Sequence, residues 1–337
     1  MKRLFAFSDT VLRFRKNFLQ DRGLNDSDHD GRKKIATSIK KLSDYFIEQP
    51  EGATPWNESW AQEAYLSYYL PLNEIRNRAV IKEGLASGFF HELTDVIDFG
   101  SGPGTADFAL ESLVPELSSY TLIERSEVPE RLLRHPSWKF TTVLRDKDFK
   151  NPQKTLFVAS YSLTEAKLPP EALQSEALMI LEPSTRQDGR ALLQLRDDLI
   201  KKGFFIWAPC THQMDCPLLS QSPRDWCHDR VHVDRSPEWI ALEELLPFRN
   251  QTITFSYLLA RRSPPPIVPS NLVRLVGDSL PEKGKTRQMI CRGPEREFIA
   301  WLHRQGAPPD WPRGALMEIP ADALRAGQEL RLTPPRK

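Results

Sequence analysis

Asp95-Val96-Ile97-Asp98-Phe99-Gly100-Ser101-Gly102-Pro103-Gly104 is the stretch that decides how this chain folds. A short apolar run enters a glycine loop, and a helical pattern follows through Phe108, Leu110 and Leu113. Strand, glycine loop and helix in that order open a nucleotide-type α/β fold. The glycines let the backbone pass close beneath a ligand, and the helix behind them offers free amide hydrogens to a carboxylate or phosphate. Twenty residues past the loop, Tyr120-Thr121-Leu122-Ile123 reads as a second buried strand that ends at Glu124, the place where an acid accepts ribose hydroxyls. The spacing is G-x-G-x-G rather than the dinucleotide G-x-G-x-x-G, and Asp98 precedes it. That variant suits S-adenosylmethionine, whose amino-acid end and sulfonium carry positive charge that a nearby carboxylate balances. The candidate cofactor residues are therefore Asp98, Gly100, Gly102, Gly104 and Glu124.

The alternation continues downstream. Thr155-Leu156-Phe157-Val158-Ala159-Ser160 and Ala177-Leu178-Met179-Ile180-Leu181 read as buried strands, residues 189–201 as an amphipathic helix, and Gly203-Phe204-Phe205-Ile206-Trp207-Ala208 as a further strand. Residues 252–260 supply the last strand, so 209–250 form an insert between the final two. These elements predict a doubly wound, mostly parallel sheet with one antiparallel edge strand, as in class I methyltransferases.

The insert is rich in thiols. Cys210, Cys216 and Cys227 sit close together, the fourth cysteine is Cys291, and the chain has no others. The surroundings Pro209-Cys210-Thr211-His212-Gln213-Met214-Asp215-Cys216-Pro217 and Asp225-Trp226-Cys227-His228 are polar and punctuated by proline, where a core thiol has little to pack against. A cluster of three with one distant partner reads as one four-thiolate metal or iron–sulfur site closed from two segments. No secretory signal is visible, which disfavours a disulfide. Structural zinc prefers tighter C-x2-4-C knuckles, so the spacing tilts toward a cluster. His212, His228 and His232 keep a mixed Cys/His zinc site as the alternative.

Residues 1–90 read as a separate helical region. Leu12, Phe14, Phe18 and Leu19 recur at helical spacing, as do Ile39, Leu42, Phe46 and Ile47, and Tyr65, Tyr68 and Tyr69 form an aromatic stripe broken by Pro71. Asp26, Asp28 and Asp30 resemble a calcium loop but lack its closing glutamate, which leaves a solvated linker. Residues 91–262 are expected to form the methyltransferase-like domain. After Ser263-Pro264-Pro265-Pro266, residues 263–337 are expected to form a small β-rich appendage that returns Cys291 to the site.

The formal net charge is +1, but it is uneven. Residues 1–41 hold 11 Lys/Arg against five Asp. A second basic cluster comprises Arg261, Arg262, Arg274, Lys283, Lys285, Arg287, Arg292 and Arg296. Such clusters are ordinarily solvated faces; beside a cofactor fold they also fit contacts to RNA phosphates. The start, with Arg13, Arg15 and Lys16, suits a mitochondrial presequence or an ordinary first helix, and no run approaches membrane-spanning length. A cytoplasmic monomer without a membrane partner is expected, with the mitochondrial matrix as the alternative.

The chain resembles the methyltransferase-like proteins of the ribosomal small subunit, found in bacteria and in the mitochondrial ribosome-assembly machinery. The resemblance rests on Ala64-Tyr65-Leu66-Ser67-Tyr68-Tyr69-Leu70-Pro71, on the glycine loop from Asp98, on Tyr161-Ser162-Leu163-Thr164-Glu165 and on Leu181-Glu182-Pro183-Ser184-Thr185. It continues through Ala208-Pro209-Cys210, Cys216-Pro217, Asp225-Trp226-Cys227-His228, Phe255-Ser256-Tyr257 and Met289-Ile290-Cys291. It implies a class I fold that binds S-adenosylmethionine, a [4Fe-4S] cluster on Cys210, Cys216, Cys227 and Cys291, and association with small-subunit ribosomal RNA during assembly. Before residue 60 and after 300 it is faint.

Catalysis is not legible. Amino-methylating enzymes place an Asn or Asp followed by Pro-Pro and an aromatic at the end of the fourth strand, where Ser160-Tyr161-Ser162 stands here. Tyr161 and Glu165 are candidates only for orienting a substrate, and the cluster reading leaves no thiol for a nucleophile. An RNA-binding assembly factor is expected first, an active ribosomal RNA methyltransferase second, and a zinc-stabilised small-molecule methyltransferase third.

Overall fold

A computed structural model describes residues 3–133 and 135–333. Its larger sheet contains β1 (Leu4–Ala6), β2 (Asp95–Phe99), β3 (Ser119–Ile123), β4 (Trp138–Thr141), β5 (Thr155–Ser160), β6 (Ala177–Glu182), β7 (Phe205–Ala208), β8 (Asp229–Asp234) and β9 (Thr252–Arg261). The order is β1-β8-β9-β6-β5-β2-β3-β4, with β7 also on β9. Strands β4, β3, β2, β5 and β6 run parallel, the 3-2-1-4-5 order of a doubly wound sheet when counted from β2. Helices cover both faces, so the central strands are apolar on both sides: Val96, Leu156, Val158 and Met179 join one core cluster, and Ile97, Phe157, Leu178 and Ile180 the other. The fold is that of class I methyltransferases.

β9 is antiparallel to β6, β7 and β8 and lies inside the sheet rather than at its edge. Its ten residues are long enough to be shared. Ser256 to Arg261 pair with β6 on one side, while on the other Thr252 to Phe255 pair with β8 and Leu259 to Arg261 with β7. A break therefore opens beside Tyr257 between β7 and β8, and the first part of the thiol-rich insert leaves the sheet there.

The first ninety residues do not stand apart, contrary to the sequence-based expectation. β1 pairs with β8, Phe5 against Val233, and the helices Asp9–Asp21, His29–Glu48 and Leu70–Ser87 bury Val11, Ile35, Ile39, Leu42 and Ile75 in the same cluster as the sheet. A three-residue strand is too short to declare itself by alternation. Two further stripe positions differ: Leu12 and Ile47 are exposed. Pro71 does not break the aromatic stripe, because Tyr65–Tyr69 form a π-helical turn and Pro71 enters the first turn of the next helix, where its missing N–H costs nothing. The aspartate-rich segment is mostly exposed, as expected of a linker, yet two of its acids are used. Asp28 caps the His29–Glu48 helix by accepting from the Gly31 amide at 2.7 Å, and Asp26 pairs with the buried Arg15.

The second sheet comprises β10 (Leu272–Leu275), β11 (Leu280–Glu282), β12 (Lys285–Cys291), β13 (Glu297–Leu302), β14 (Leu316–Glu318), β15 (Leu324–Ala326) and β16 (Glu329–Arg331). It has its own core of Val273, Leu275, Ile290, Ile299, Trp301 and Leu330. A fourth cluster, with Leu193, Cys216, Leu218, Val276 and Cys291, joins it to the insert. Among the described residues no helix is long and apolar enough to cross a membrane.

Candidate functional site

Ligands of doubly wound sheets bind at the carboxyl ends of the strands where the order reverses, here between β2 and β5. Gly100, Gly102 and Gly104 follow β2, all with left-handed φ. Gly104 has no alternative: at φ 76° a Cβ would lie 2.3 Å from the Trp138 ring. Glu124 follows β3, and its carboxylate accepts from the Gly102 amide at 3.0 Å and the Ser126 amide at 2.9 Å. The acid expected at a ribose thus also fixes the shape of the loop.

Asp98 is buried beneath the loop with Asp107 of the Thr105–Leu113 helix. Burial, then the neighbouring Asp107, pushes the Asp98 carboxyl well up. Burial pushes Asp107 up to about 7. Asp98 and Asp107 face each other closely enough to share a proton, and Thr105 lies beside the Tyr65 hydroxyl; apart from these mutual contacts Asp98 Oδ1, Thr105 Oγ1 and both Asp107 oxygens lack well-formed hydrogen bonds. Buried acceptors so poorly paired are costly, and those under the loop suit a cationic, hydrogen-bonding ligand of the kind that S-adenosylmethionine presents.

Side chains that the sequence did not mark as site residues, Trp56 and Tyr65, join the loop. Trp56 lies 3.4 Å from where a Gly102 Cβ would stand, with its ring centroid 4.8 Å from that of Tyr65. Burial pushes the Tyr65 hydroxyl up to about 12. Across the switch point, Tyr161 follows β5 with φ 61°, a conformation that a bulky residue holds only under constraint. The Arg76 guanidinium sits 5.8 Å from its ring centroid. Asn77 donates to Ser160 Oγ at 3.1 Å, and the buried Glu182 accepts from the Leu163 amide at 2.9 Å. Burial pushes Glu182 up to about 8. Glu165 pairs with Arg125 at 3.3 Å and lies near enough to Glu124 and Tyr65 to act on both.

The thiols occupy a second site. Cys210 follows β7, Cys216 and Cys227 lie in the insert, and Cys291 ends β12 of the other sheet; all four line one cavity with Leu192 and Leu193. They surround it rather than close on a point, and among the described residues no three Cys, His, Asp or Glu side chains converge as a single bound metal ion requires. Burial, then the neighbouring Cys210, pushes Cys216 up to about 11 and raises Cys227 and Cys291 in the same direction. The fully buried Arg196 is the cation of this site. Its Nε lies 3.4 Å from Cys210 Sγ, and its Nη2 donates to the His212 carbonyl at 3.1 Å and the Met214 carbonyl at 2.7 Å.

His212 Nε2 lies 3.3 Å from Cys291 Sγ, and burial lowers its pKa to about 4. It therefore sits beside a sulfur rather than replacing one. His228 contacts Arg313, and His232 lies on β8 opposite Leu4, 3.0 Å from the Thr252 hydroxyl. An arginine in the middle of an amphipathic helix was the one available signal for Arg196, and helical spacing alone reads it as a surface charge.

The family model described as mitochondrial small ribosomal subunit Rsm22 matches residues 90–299. The human mitochondrial ribosome assembly protein METTL17 is 25% identical over 249 residues, 61% of this chain and 50% of that protein. The chain thus spans about half the length of that curated relative. Among solved structures, a SAM-dependent methyltransferase from Aquifex aeolicus is 17% identical, covering 40% of this chain and 82% of its own, with a TM-score of 0.28. The plantazolicin methyltransferase BpumL, solved with SAH, is 14% identical, covering 76% of this chain and 99% of its own, with a TM-score of 0.33. These likenesses are distant, and the fold assignment rests on the strand order above. The family match extends over more than half of the 337 residues and takes in both the glycine loop and all four thiols; the chain belongs to the Rsm22 family, described as a mitochondrial small ribosomal subunit protein.

Proposed function

We propose that this protein is a small-subunit ribosome-assembly factor that binds ribosomal RNA, built on a cofactor-binding methyltransferase fold and locked by an inorganic centre. The observation that carries the reading is that thiols from β7, the insert and the second sheet line one cavity in a chain of the Rsm22 family. An all-sulfur donor set in an apolar cavity, with the buried Arg196 beside it, fits a [4Fe-4S] cluster on Cys210, Cys216, Cys227 and Cys291; zinc is the alternative. Its task would be to hold two sheets and an insert in one arrangement. Asp98, the loop amides of Gly100, Gly102 and Gly104, and Glu124 would hold S-adenosylmethionine, which supplies an activated methyl group. The names of the matched relatives favour the mitochondrial matrix over the cytoplasm as its location, and we propose a monomer away from the ribosome.

An active ribosomal RNA methyltransferase is the second reading, and one observation favours it: the left-handed backbone of Tyr161 stands where substrates of this fold are held. Purified chain, small-subunit RNA and methyl-labelled cofactor separate the two. The assembly-factor reading predicts RNA binding without labelling. Label incorporation that Asp98→Ala abolishes would establish the enzyme instead, and a colourless, zinc-loaded protein without RNA affinity would favour the small-molecule methyltransferase.

A further inference from the structure

The two basic clusters of the sequence have different fates in the fold. In the second, Arg261 pairs with Glu176 at 2.9 Å, Arg274 with Glu83 at 2.9 Å, Arg287 with Glu282 at 2.6 Å and Arg292 with Glu297 at 2.7 Å. Lys285 and Arg296 also meet carboxylates, those of Glu329 and Asp225. Arg262 is spent on the Lys202 and Leu173 carbonyls. Only Lys283 of that cluster is left over among the described residues. Six of these eight cations are neutralised by carboxylates and the exposed Arg262 is held by carbonyls, so little of this charge remains free for a polyanion.

The first cluster is different. The His29–Glu48 helix turns Ile35, Ile39 and Leu42 inward and exposes Lys33, Lys34, Lys40 and Lys41. Residues 33 and 40, and likewise 34 and 41, are seven apart, so they lie on one face about 10.5 Å apart along the axis. Arg13 and Lys16 are exposed on the preceding Asp9–Asp21 helix. Among the described residues none of these six cations meets a carboxylate. Lys41 instead lies over the Trp60 ring at 4.3 Å, and Trp60 is 6.4 Å from Tyr45. Asp30 stands one turn before Lys33 and Lys34, Asp44 and Glu48 bound the lysine face at its far end, and Glu58 accepts from the Trp60 indole.

We infer that the outer face of the His29–Glu48 helix is the RNA-docking surface, with Lys33, Lys34, Lys40 and Lys41 on backbone phosphates and the Trp60 and Tyr45 edge beside them. The assignment rests on the RNA-binding reading above and makes it specific. Unpaired, flexible cations spaced along a helix complement a polyanion, and an adjacent aromatic suits the unstacked bases of single-stranded segments. This face lies before residue 90, outside the residues that the family model matches.

Binding of the full chain to small-subunit ribosomal RNA across a salt series tests it. Each neutralised phosphate contributes roughly 0.7 to 0.9 to the slope of log affinity against log salt. The variant carrying Lys33→Gln, Lys34→Gln, Lys40→Gln and Lys41→Gln should lose about 3 from that slope and at least tenfold in affinity, with an unchanged circular dichroism spectrum because all four side chains are exposed. A control carrying Lys283→Gln and Arg304→Gln, both exposed residues of the second sheet's turns, should lose much less. An unchanged slope in the lysine variant, while the parent chain binds RNA, overturns the placement alone. A parent chain that binds no RNA at any salt overturns the RNA-binding reading and the placement with it; binding instead to anionic vesicles, lost in the lysine variant, would reassign the face to a membrane surface.

Discussion

Asp107 illustrates what single residues contribute that motif spacing does not reveal. It occupies a buried position between Ala106 and Phe108, directly after the glycine loop, where an apolar residue would serve the helix equally well. Together with Asp98 it places two acids below the loop, and Glu182 adds a third buried acid at the end of β6. Unfolded, such groups ionise near pH 4. Folded, Asp107 and Glu182 hold their protons to about 7 and about 8. The native state therefore binds more protons in that window, and stability should fall as pH rises from about 4 to about 8. Asp107→Asn should flatten the decline and leave the ligand-free chain more stable than the parent at pH 8. Denaturant titrations at pH 5 and pH 8 check this, and an identical pH dependence in the variant would contradict it. The glycine loop, Asp98 and Glu124 were legible because backbone shape restricts them to few residue types. Asp107, Trp56, Tyr65 and Arg196 were not, since their positions depend on elements distant in sequence.

At the scale of elements, the parallel strands could be read because apolar runs bounded by turns have few other solutions. The strands β1 and β8 could not. The first has three residues, and the second lies in a loop-like insert that becomes a strand only because β9 is long enough to pair it. The insert is then pinned to the sheet. Trp226 donates to the Ser184 carbonyl at 2.8 Å, Ser256 donates to the Cys227 carbonyl at 2.9 Å, and Arg190 reaches the Ser222 and Asp225 carbonyls at 2.8 and 2.9 Å. Gly189 permits this, because a Cβ there would stand 2.4 Å from the Trp226 ring. Gly189→Ala sits in a helix that otherwise favours alanine, yet overpacking should cost about 1–3 kcal/mol and loosen the insert. Limited proteolysis should then cut within residues 209–228 of the variant before the parent. Equal cleavage rates would show that the tryptophan contact does not hold the insert.

Across the whole molecule, the second sheet meets the first at the thiol cavity. Thr211 Oγ1 donates to the Cys291 carbonyl at 3.2 Å, and Gln221 donates to the Pro294 carbonyl at 2.8 Å. Arg3 ties β1 to Asp229 at 2.6 Å and to Glu83 at 3.2 Å, while Arg274 reaches Glu83 from the other sheet. Sequence spacing grouped the first three cysteines, and the single cysteine left over made Cys291 their expected partner; that β12 is the element that carries it there depended on the packing of a sheet whose strands are too short to read individually. Losing the proposed centre should therefore loosen the whole arrangement rather than one loop. Cys291→Ser should lower the melting temperature of the isolated protein far more than it lowers that of metal-stripped protein, and equal losses in both would show that the residue matters only as packing.

The most direct measurement is the iron, zinc and acid-labile sulfide content of freshly isolated, oxygen-protected protein, compared with the Cys291→Ser variant. The account predicts iron and sulfide in equal amounts, about four of each per chain, falling sharply in the variant together with the brown colour. Protein holding neither iron nor zinc, or iron unaffected by Cys291→Ser, would contradict it.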